Sequence, residues 1–261
     1  MVKMVLKMID LHSHILPGLD DGAQSEEDTL RMAELYQSYG FTRVVASPHI
    51  RENSEYLVRK EDLEEMVADW NHRFQSMGIN LQLLPGAEYY LDGSFSELAE
   101  RLWPIIRLNN SYYTLVEMPV LFLPKYLGVS FFNPQIHNPE LKKLIPFLRL
   151  ILAHPERNEE VLKNPQLALR ELKEQGLYIQ INLGSLVGLY GKLVKKTAEL
   201  FVKRNLTDVI ATDAHSPEQL EKILSEGIPR LKKLLGEKRF NLLMKTNPEL
   251  VLAGEPLEPI Y

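Results

Sequence analysis

Seven apolar runs of strand length recur along this chain, and six of them end on a residue that can bind a metal ion. Val2 to His14 closes on His12 and His14, Thr42 to His49 on His49, and Leu81 to Glu88 on Glu88. Tyr112 to Glu117 closes on Glu117, and Leu148 to His154 on His154. Leu177 to Leu183 carries no such end, while Asp208 to Thr212 leads straight into Asp213 and His215. Helical stretches separate the runs, so strands alternate with helices, which favours a parallel sheet. In a βα barrel the carboxyl ends of all strands converge on one rim, and that rim carries the site. An open doubly wound sheet would spread them along an edge. The expected fold is therefore α/β, a distorted seven-stranded (β/α)7 TIM-like barrel, formed by one domain over 1–261.

Helix signals fill the gaps. Ser25 before Glu26-Glu27-Asp28 reads as an N-cap with an acidic first turn, followed by a stripe of Leu30, Ala33, Leu35 and Tyr36 that ends near Gly40. Further helices are expected over 60–77, 95–102, 139–148, 158–175, 191–204, 217–225, 228–235 and 237–245, with an irregular tail from Gly254. Residues 120–147 are harder to read, with four prolines and a Phe131-Phe132 pair. His72 reads as a solvated helix residue, His137 as a loop residue, and Lys192, Lys195 and Lys196 as a solvated face.

Composition narrows the chemistry. The chain has 261 residues and no cysteine, so disulfides, thiolate-bound metal clusters and thiolate nucleophiles are excluded. A net charge of −5 speaks against a general nucleic-acid coat. No apolar stretch reaches the ~18 residues of a membrane helix. The short apolar opening segment runs directly into Asp10 and reads as a strand rather than a signal peptide. The expected location is the cytoplasm.

The candidate ligands are His12, His14, Asp21, His49, Glu88, Glu117, His154, Asp213 and His215. Residues i and i+2 of a strand share a face, so His12 and His14 can aim at one spot. Five imidazoles and four carboxylates exceed the needs of one ion, and they could hold two or three divalent ions. Two ions about 4 Å apart can share a hydroxide and clamp both oxygens of an in-line displacement. Three such ions against four carboxylates leave about +2, which suits a phosphate dianion. Arg157, three residues after His154, is either a bidentate phosphate clamp or half of a surface ion pair with Glu159 or Glu160.

Several motifs carry a resemblance. Asp-Leu-His-Ser-His at 10–14, Ser-Pro-His at 47–49, Gly-Ala-Glu at 86–88, His-Pro-Glu-Arg at 154–157 and Thr-Asp-Ala-His at 212–215 resemble the PHP (polymerase and histidinol phosphatase) superfamily. Three longer signatures are His-Ile-Leu-Pro-Gly-Leu-Asp-Asp-Gly at 14–22, Leu-Ala-His-Pro-Glu-Arg at 152–157 and Leu-Gly-Ser-Leu-Val-Gly at 183–188. With Asn247-Pro248, they are similar to bacterial manganese-dependent protein tyrosine phosphatases of capsule and exopolysaccharide loci. The resemblance spans about residues 9 to 252.

It implies the PHP barrel and a trinuclear manganese centre, with iron, cobalt or zinc as substitutes. His12, His14, Glu88 and Asp213 would hold one ion, Glu88, Glu117 and His154 the second, and Asp21, His49 and His215 the third. Asp21 rather than Asp20 matches the family ligand, and Asp10 would orient a histidine from behind. The implied reaction is attack of a metal-bridging hydroxide on the phosphorus of a phosphotyrosine tail, belonging to a bacterial tyrosine kinase, with Arg157 as substrate clamp. Rival readings are a small-molecule phosphatase of the histidinol-phosphate type, a phosphodiesterase or exonuclease, and an inactive phosphotyrosine-binding module.

Overall fold

The computed structural model describes residues 7–52, 54–92, 95–121 and 136–257. The Phe131-Phe132 pair and most of the proline-rich stretch lie outside the described residues. Among those described there are nine strand segments: β1 (Met8–Ser13), β2 (Phe41–Ala46), β3 (His49–Ile50), β4 (Gln82–Pro85), β5 (Glu88–Tyr90), β6 (Tyr113–Glu117), β7 (Arg149–Ala153), β8 (Tyr178–Asn182) and β9 (Val209–Ala211). They form two sheets, ordered β1-β2-β4 and β3-β5-β6-β7-β8-β9. Every pairing is parallel, as the βα alternation requires. Parallel strands are covered on both faces, which explains why runs such as Arg149–Ala153 are nearly all apolar.

Nine segments replace the seven expected strands because two runs are interrupted. Ser47-Pro48 separates β2 from β3, and Pro48 has no N–H to give a ladder. Gly86-Ala87 separates β4 from β5. A Cβ on Gly86 would lie 2.3 Å from Cγ1 of Val45 and 2.9 Å from Cδ2 of Leu108, so only glycine permits this approach. Backbone bonds still cross both gaps, Gly86 N–H to Ala46 O and Glu88 N–H to Pro48 O, each at 3.0 Å. Between β1 and the end of β9 there is no ladder, only one bridge between Ser13 and Ala214. Two bonds flank it, His14 N–H to Ala214 O at 3.0 Å and Asp213 N–H to His12 O at 2.9 Å.

The helices are α1 (Glu26–Ser38), α2 (Lys60–Ser76), α3 (Phe95–Arg101), α4 (Pro139–Leu144), α5 (Glu159–Lys163), α6 (Pro165–Glu174), α7 (Leu183–Val187), α8 (Lys192–Lys203), α9 (Pro217–Asn241) and α10 (Asn247–Ala253). Ser25 and Asp28 close a reciprocal capping box at α1, each N–H bond 3.2 Å long, a device that contributes about 1 kcal/mol. The single helix expected over 158–175 is two. Pro165 cannot continue α5, and Asn164 caps α6 instead. The reverse holds at 217–235, where Pro229 is accommodated inside α9 and the interruption falls at Gly236 (φ 71°, ψ 169°). The run from Leu177 leads into the short helix α7, which begins at Leu183. His72 and His137 are exposed.

Two apolar clusters carry the fold. The larger packs helices onto strands and includes Tyr36, Phe41, Trp70, Phe74 and Phe201. The smaller gathers Ile9, Leu11, Val45, Leu84, Leu115, Ile151 and Val209 from successive strands. His12, Glu117, His154 and Asp213 follow these apolar residues along β1, β6, β7 and β9 or just beyond them.

Candidate metal centre

The carboxyl ends of β1 and β9 and the first residue of β5 bring four ligand atoms together. His12 Nε2 lies 3.1 Å from His14 Nε2, 3.1 Å from Glu88 Oε2 and 3.3 Å from Asp213 Oδ1. His14 Nε2 lies 3.5 Å from that Glu88 oxygen and 3.3 Å from that Asp213 oxygen. Tetrahedral ligands at about 2.1 Å from one ion sit roughly 3.4 Å apart, which is the spacing seen here. β7 adds His154, whose Nε2 is 2.9 Å from Glu88 Oε1. β3 adds His49, whose Nδ1 is 3.1 Å from Glu88 Oε2 and 3.4 Å from Glu117 Oε1. Asp21 Oδ1 completes the constellation, 3.5 Å from both His49 Nε2 and His215 Nε2.

All nine sequence-derived ligands therefore meet in one place. One atom each from His12, Glu88, His154 and Asp213 falls within 4.8 Å of the others, and so do sets from His14, Asp21, His49 and His215 and from His49, Glu88 and Glu117. Three memberships differ from the motif-based sharing, since His49 joins Glu88 and Glu117 as well as Asp21 and His215. His154 groups with His12, Glu88 and Asp213 rather than with Glu117, and His14 reaches the Asp21 group as well as the His12 group. The reason lies in Glu88, whose two oxygens face opposite ways, Oε1 to His154 and Oε2 to His12, His14 and His49. His49 presents a nitrogen to each side, and a neutral imidazole lends one lone pair, so it serves one group as ligand and the other as donor.

Backbone geometry turns these side chains inward. His154 (φ 34°, ψ 49°) and Asp213 (φ 54°) both adopt the left-handed region. Each costs about 1–3 kcal/mol for a residue other than glycine, strain that collects at functional sites. The loop from His14 to Ala23 folds back, with Ala23 N–H bonded to His14 O at 2.9 Å. A Cβ on Gly22 would lie 2.3 Å from that carbonyl oxygen, so the tight return requires glycine.

The rings are held from behind. Asp20 Oδ2 accepts from Nδ1 of His14 at 2.6 Å and from the N–H of His49 at 2.9 Å. Gln180 Oε1 is 2.8 Å from Nδ1 of His12. Nδ1 of His215 faces its neighbour's carbonyl, Asp213 O, at 3.0 Å. Each arrangement leaves Nε2 aimed at the centre. Asp10 does not have the role expected of it. It accepts from the hydroxyls of Tyr36 and Thr212 at 2.7 and 2.5 Å and from the backbone N–H of His12 and Thr212. It ties β1 to α1 and to the end of β9, and the carboxylate fixed behind an imidazole is Asp20, at Nδ1 of His14. Sequence reasoning missed Asp20 and Gln180, although two polar residues two apart in β8 were a visible signal.

Arg157 donates to Asp213 Oδ2 at 3.0 Å, not to Glu159 or Glu160, and its guanidinium lies 4.4 Å from the ring centre of Tyr190. Glu156, between His154 and Arg157, is fully buried and accepts from Asn182 N–H and Ser185 Oγ at 3.0 and 2.7 Å.

Charge balance bears on whether ions fit. Burial disfavours ionised Glu88, yet His12, His14 and His154 outweigh it and hold its pKa well below the carboxylate range. Asp213 behaves alike under His12, His14, His154 and His215. Burial also opposes a charged His12, but Glu88 and Asp213 push its pKa up to about 9. His215 goes the other way, down to about 4, through burial and then the neighbouring His14 charge. Burial and the Glu88 charge raise Glu117. The cluster thus draws in positive charge. Asp213 Oδ1 is buried without a hydrogen-bond partner while facing two imidazoles, an atom a cation would satisfy. His and carboxylate donors with orphaned lone pairs turned inward fit divalent ions.

The chain as a whole is similar to known proteins. Residues 8–253 match the family described as capsular polysaccharide synthesis, CpsB/CapC. Tyrosine-protein phosphatase YwqE of Bacillus subtilis is 34% identical over 251 residues, covering 96% of this chain and 93% of that protein. Tyrosine-protein phosphatase CpsB of Streptococcus pneumoniae is 29% identical over 255 residues, covering 95% and 99%. A crystal structure described under YwqE and CpsB as unique metal-dependent tyrosine phosphatases superposes with a TM-score of 0.79 at 32% identity, covering 97% of this chain and 100% of that one. A histidinol phosphate phosphatase of Lactococcus lactis shares the fold, with a TM-score of 0.55 at 13% identity and coverage of 88% and 94%. The chain belongs to the CpsB/CapC family of capsular polysaccharide synthesis.

Proposed function

We propose that this protein is a metal-dependent protein-tyrosine phosphatase, a phosphoric monoester hydrolase whose substrate is a phosphotyrosine tail of a bacterial tyrosine kinase. The carrying observation is the meeting of nine metal-capable side chains beside the Arg157 guanidinium. His12, His14, Asp21, His49, Glu88, Glu117, His154, Asp213 and His215 would hold up to three divalent ions, with manganese as the native metal. Bound ions supply Lewis acidity to the phosphoryl oxygens and an activated water.

The chain's own residues do the rest. Arg157 is held by Asp213 and the face of Tyr190, at the edge of the cluster, where its planar fork can pair with phosphoryl oxygens. A phenolate leaves readily, its parent pKa being about 10. Leaving-group protonation therefore demands little of the protein, and electrostatic stabilisation carries most of the barrier.

The same reading gives the fold its closed form. Taking β2 with β3 and β4 with β5 as continuous strands leaves seven. The Ser13 and Ala214 bridge then joins first to last, and the inner cluster drawn from successive strands becomes a barrel interior. A cytoplasmic location follows from the proposed kinase tail, and none of the described helices is long and apolar enough to cross a membrane.

The test is a comparison of rates with added manganese on a phosphotyrosine peptide, histidinol phosphate and single-stranded DNA. The peptide should be hydrolysed fastest, and preference for either of the other two overturns the proposal.

A further inference from the structure

We infer that β8, the strand whose end offers no ligand, sets which nitrogen His12 presents to the centre, through Gln180 and Asn182. This rests on the metal centre proposed above. Gln180 and Asn182 are two apart, so they share one face of β8, and both are fully buried. Buried amides are costly unless every polar atom finds a partner. Here they form a chain. His12 Nδ1 is 2.8 Å from Gln180 Oε1, Gln180 Nε2 donates to Asn182 Oδ1 at 2.6 Å, and Asn182 Nδ2 donates to Asp213 Oδ2 at 2.6 Å.

The direction of this chain follows from chemistry alone. An ionised Asp213 can only accept, and its Oδ2 already accepts from Arg157. Asn182 must therefore turn its NH₂ to Asp213 and its oxygen to Gln180. Gln180 must then turn its NH₂ to Asn182 and its oxygen to His12. That oxygen can only accept, so Nδ1 of His12 keeps a hydrogen, and Nε2, among His14, Glu88 and Asp213, is the nitrogen that gives up its proton and offers a lone pair when an ion binds. The reversed chain would set two oxygens 2.6 Å apart between Asn182 and Asp213. Asp213 thus divides its labour, Oδ2 to the protein and Oδ1 to the centre. Asn182 is pinned in turn, since its backbone N–H donates to buried Glu156 at 3.0 Å. Two ligands from distant strands are oriented by one pair of amides.

The test uses manganese-loaded protein dialysed against graded chelator, with retained metal counted. Gln180→Leu removes the acceptor and should weaken retention about 10- to 100-fold, the effect usual for a group behind a metal ligand. Gln180→Glu keeps an oxygen toward Nδ1 but sets its other oxygen against Asn182 Oδ1, so it should retain metal better than Gln180→Leu and less well than wild type. Asn182→Asp sets two carboxylates face to face and should weaken retention as Gln180→Leu does. Long-range ¹H–¹⁵N spectra of the zinc-loaded wild type should show the His12 hydrogen on Nδ1. That measurement decides the matter even if Gln180→Leu fails to fold. Wild-type retention in a folded Gln180→Leu variant, or a His12 hydrogen on Nε2, would overturn the role of β8. Wild-type protein that holds no metal would instead overturn the centre, and the inference with it.

Discussion

The two halves of the ligand cluster are held together differently. On the inner half, His12, His14, Glu88 and Asp213 are at most 1% exposed, and the two imidazoles and Asp213 have protein groups fixed behind them. On the outer half, the side chain of Asp21 is 57% exposed and that of His215 24%. Asp21 stands 3.5 Å from two imidazoles, beyond hydrogen-bond length. The inner donors are set by the fold before any ion arrives, so little ordering cost remains for binding. On the outer half Asp21 is the donor that an ion would bring into final register. An enzyme built this way should release its outer ion first and keep its inner ones longest.

Glu88 is the harshest test of that contrast, because its two oxygens face His12, His14, His49 and His154. Glu88→Ala should lower the hydrolysis rate on a phosphotyrosine peptide by at least ~10³-fold, beyond the 10- to 100-fold usual for groups behind a ligand. Metal content should fall with it, while circular dichroism keeps the wild-type form. Normal turnover in a folded variant would remove the centre from the chemistry. Asp21→Ala should be milder, about 10²-fold in rate, with one metal equivalent lost and the inner ions retained. Its exposed site should shift the stability of the metal-free protein by no more than ~0.5 kcal/mol. Loss of every ion together would erase the distinction between the halves. Asp20→Asn keeps an acceptor for His14 but loses the charge. It should weaken metal retention by about 10-fold, the low end for such groups, and an unchanged affinity would strip Asp20 of its orienting role.

Most ligands were legible because each is a hydrophilic residue abutting an apolar run, and parallel βα topology brings such ends together. The partners behind them were harder to see. Asp20 and Asp21 are adjacent and chemically alike. Which one meets His14 depends on how the loop returns at Gly22, a close approach with no one-residue signature. Gln180 and Asn182 lie in a run read only for its apolar content, although alternating amides in a strand buried on both faces call for partners. Helix ends were legible where a cap and a proline coincide, as at Asn164-Pro165. They were not where a proline is absorbed into a longer helix, as at Pro229, since packing rather than local preference decides that case. Strand number depended on Gly86, whose role is set by Val45 and Leu108, residues remote in sequence.

The smallest expected effect on catalysis separates the scaffold from the centre. Tyr36 donates to Asp10 at 2.7 Å, and Asp10 in turn holds Thr212 and the backbone of His12. Tyr36→Phe removes a hydroxyl that bonds Asp10 and also lies 2.7 Å from Thr212 Oγ1, leaving a carboxyl whose pKa burial raises and whose remaining bonds to Thr212 and His12 lower it. A bond to a charged group contributes about 1.5–3 kcal/mol, so chemical denaturation of the metal-free protein should show a loss in that range. Metal retention and kcat should stay within about threefold of wild type, because no ring nitrogen of the centre touches Asp10 and the Thr212 bonds still join β1 to β9. If metal retention instead fell as far as in Asp20→Asn, Asp10 would belong to the inner half of the centre, and the boundary between what holds the fold and what holds the ions would move one layer deeper.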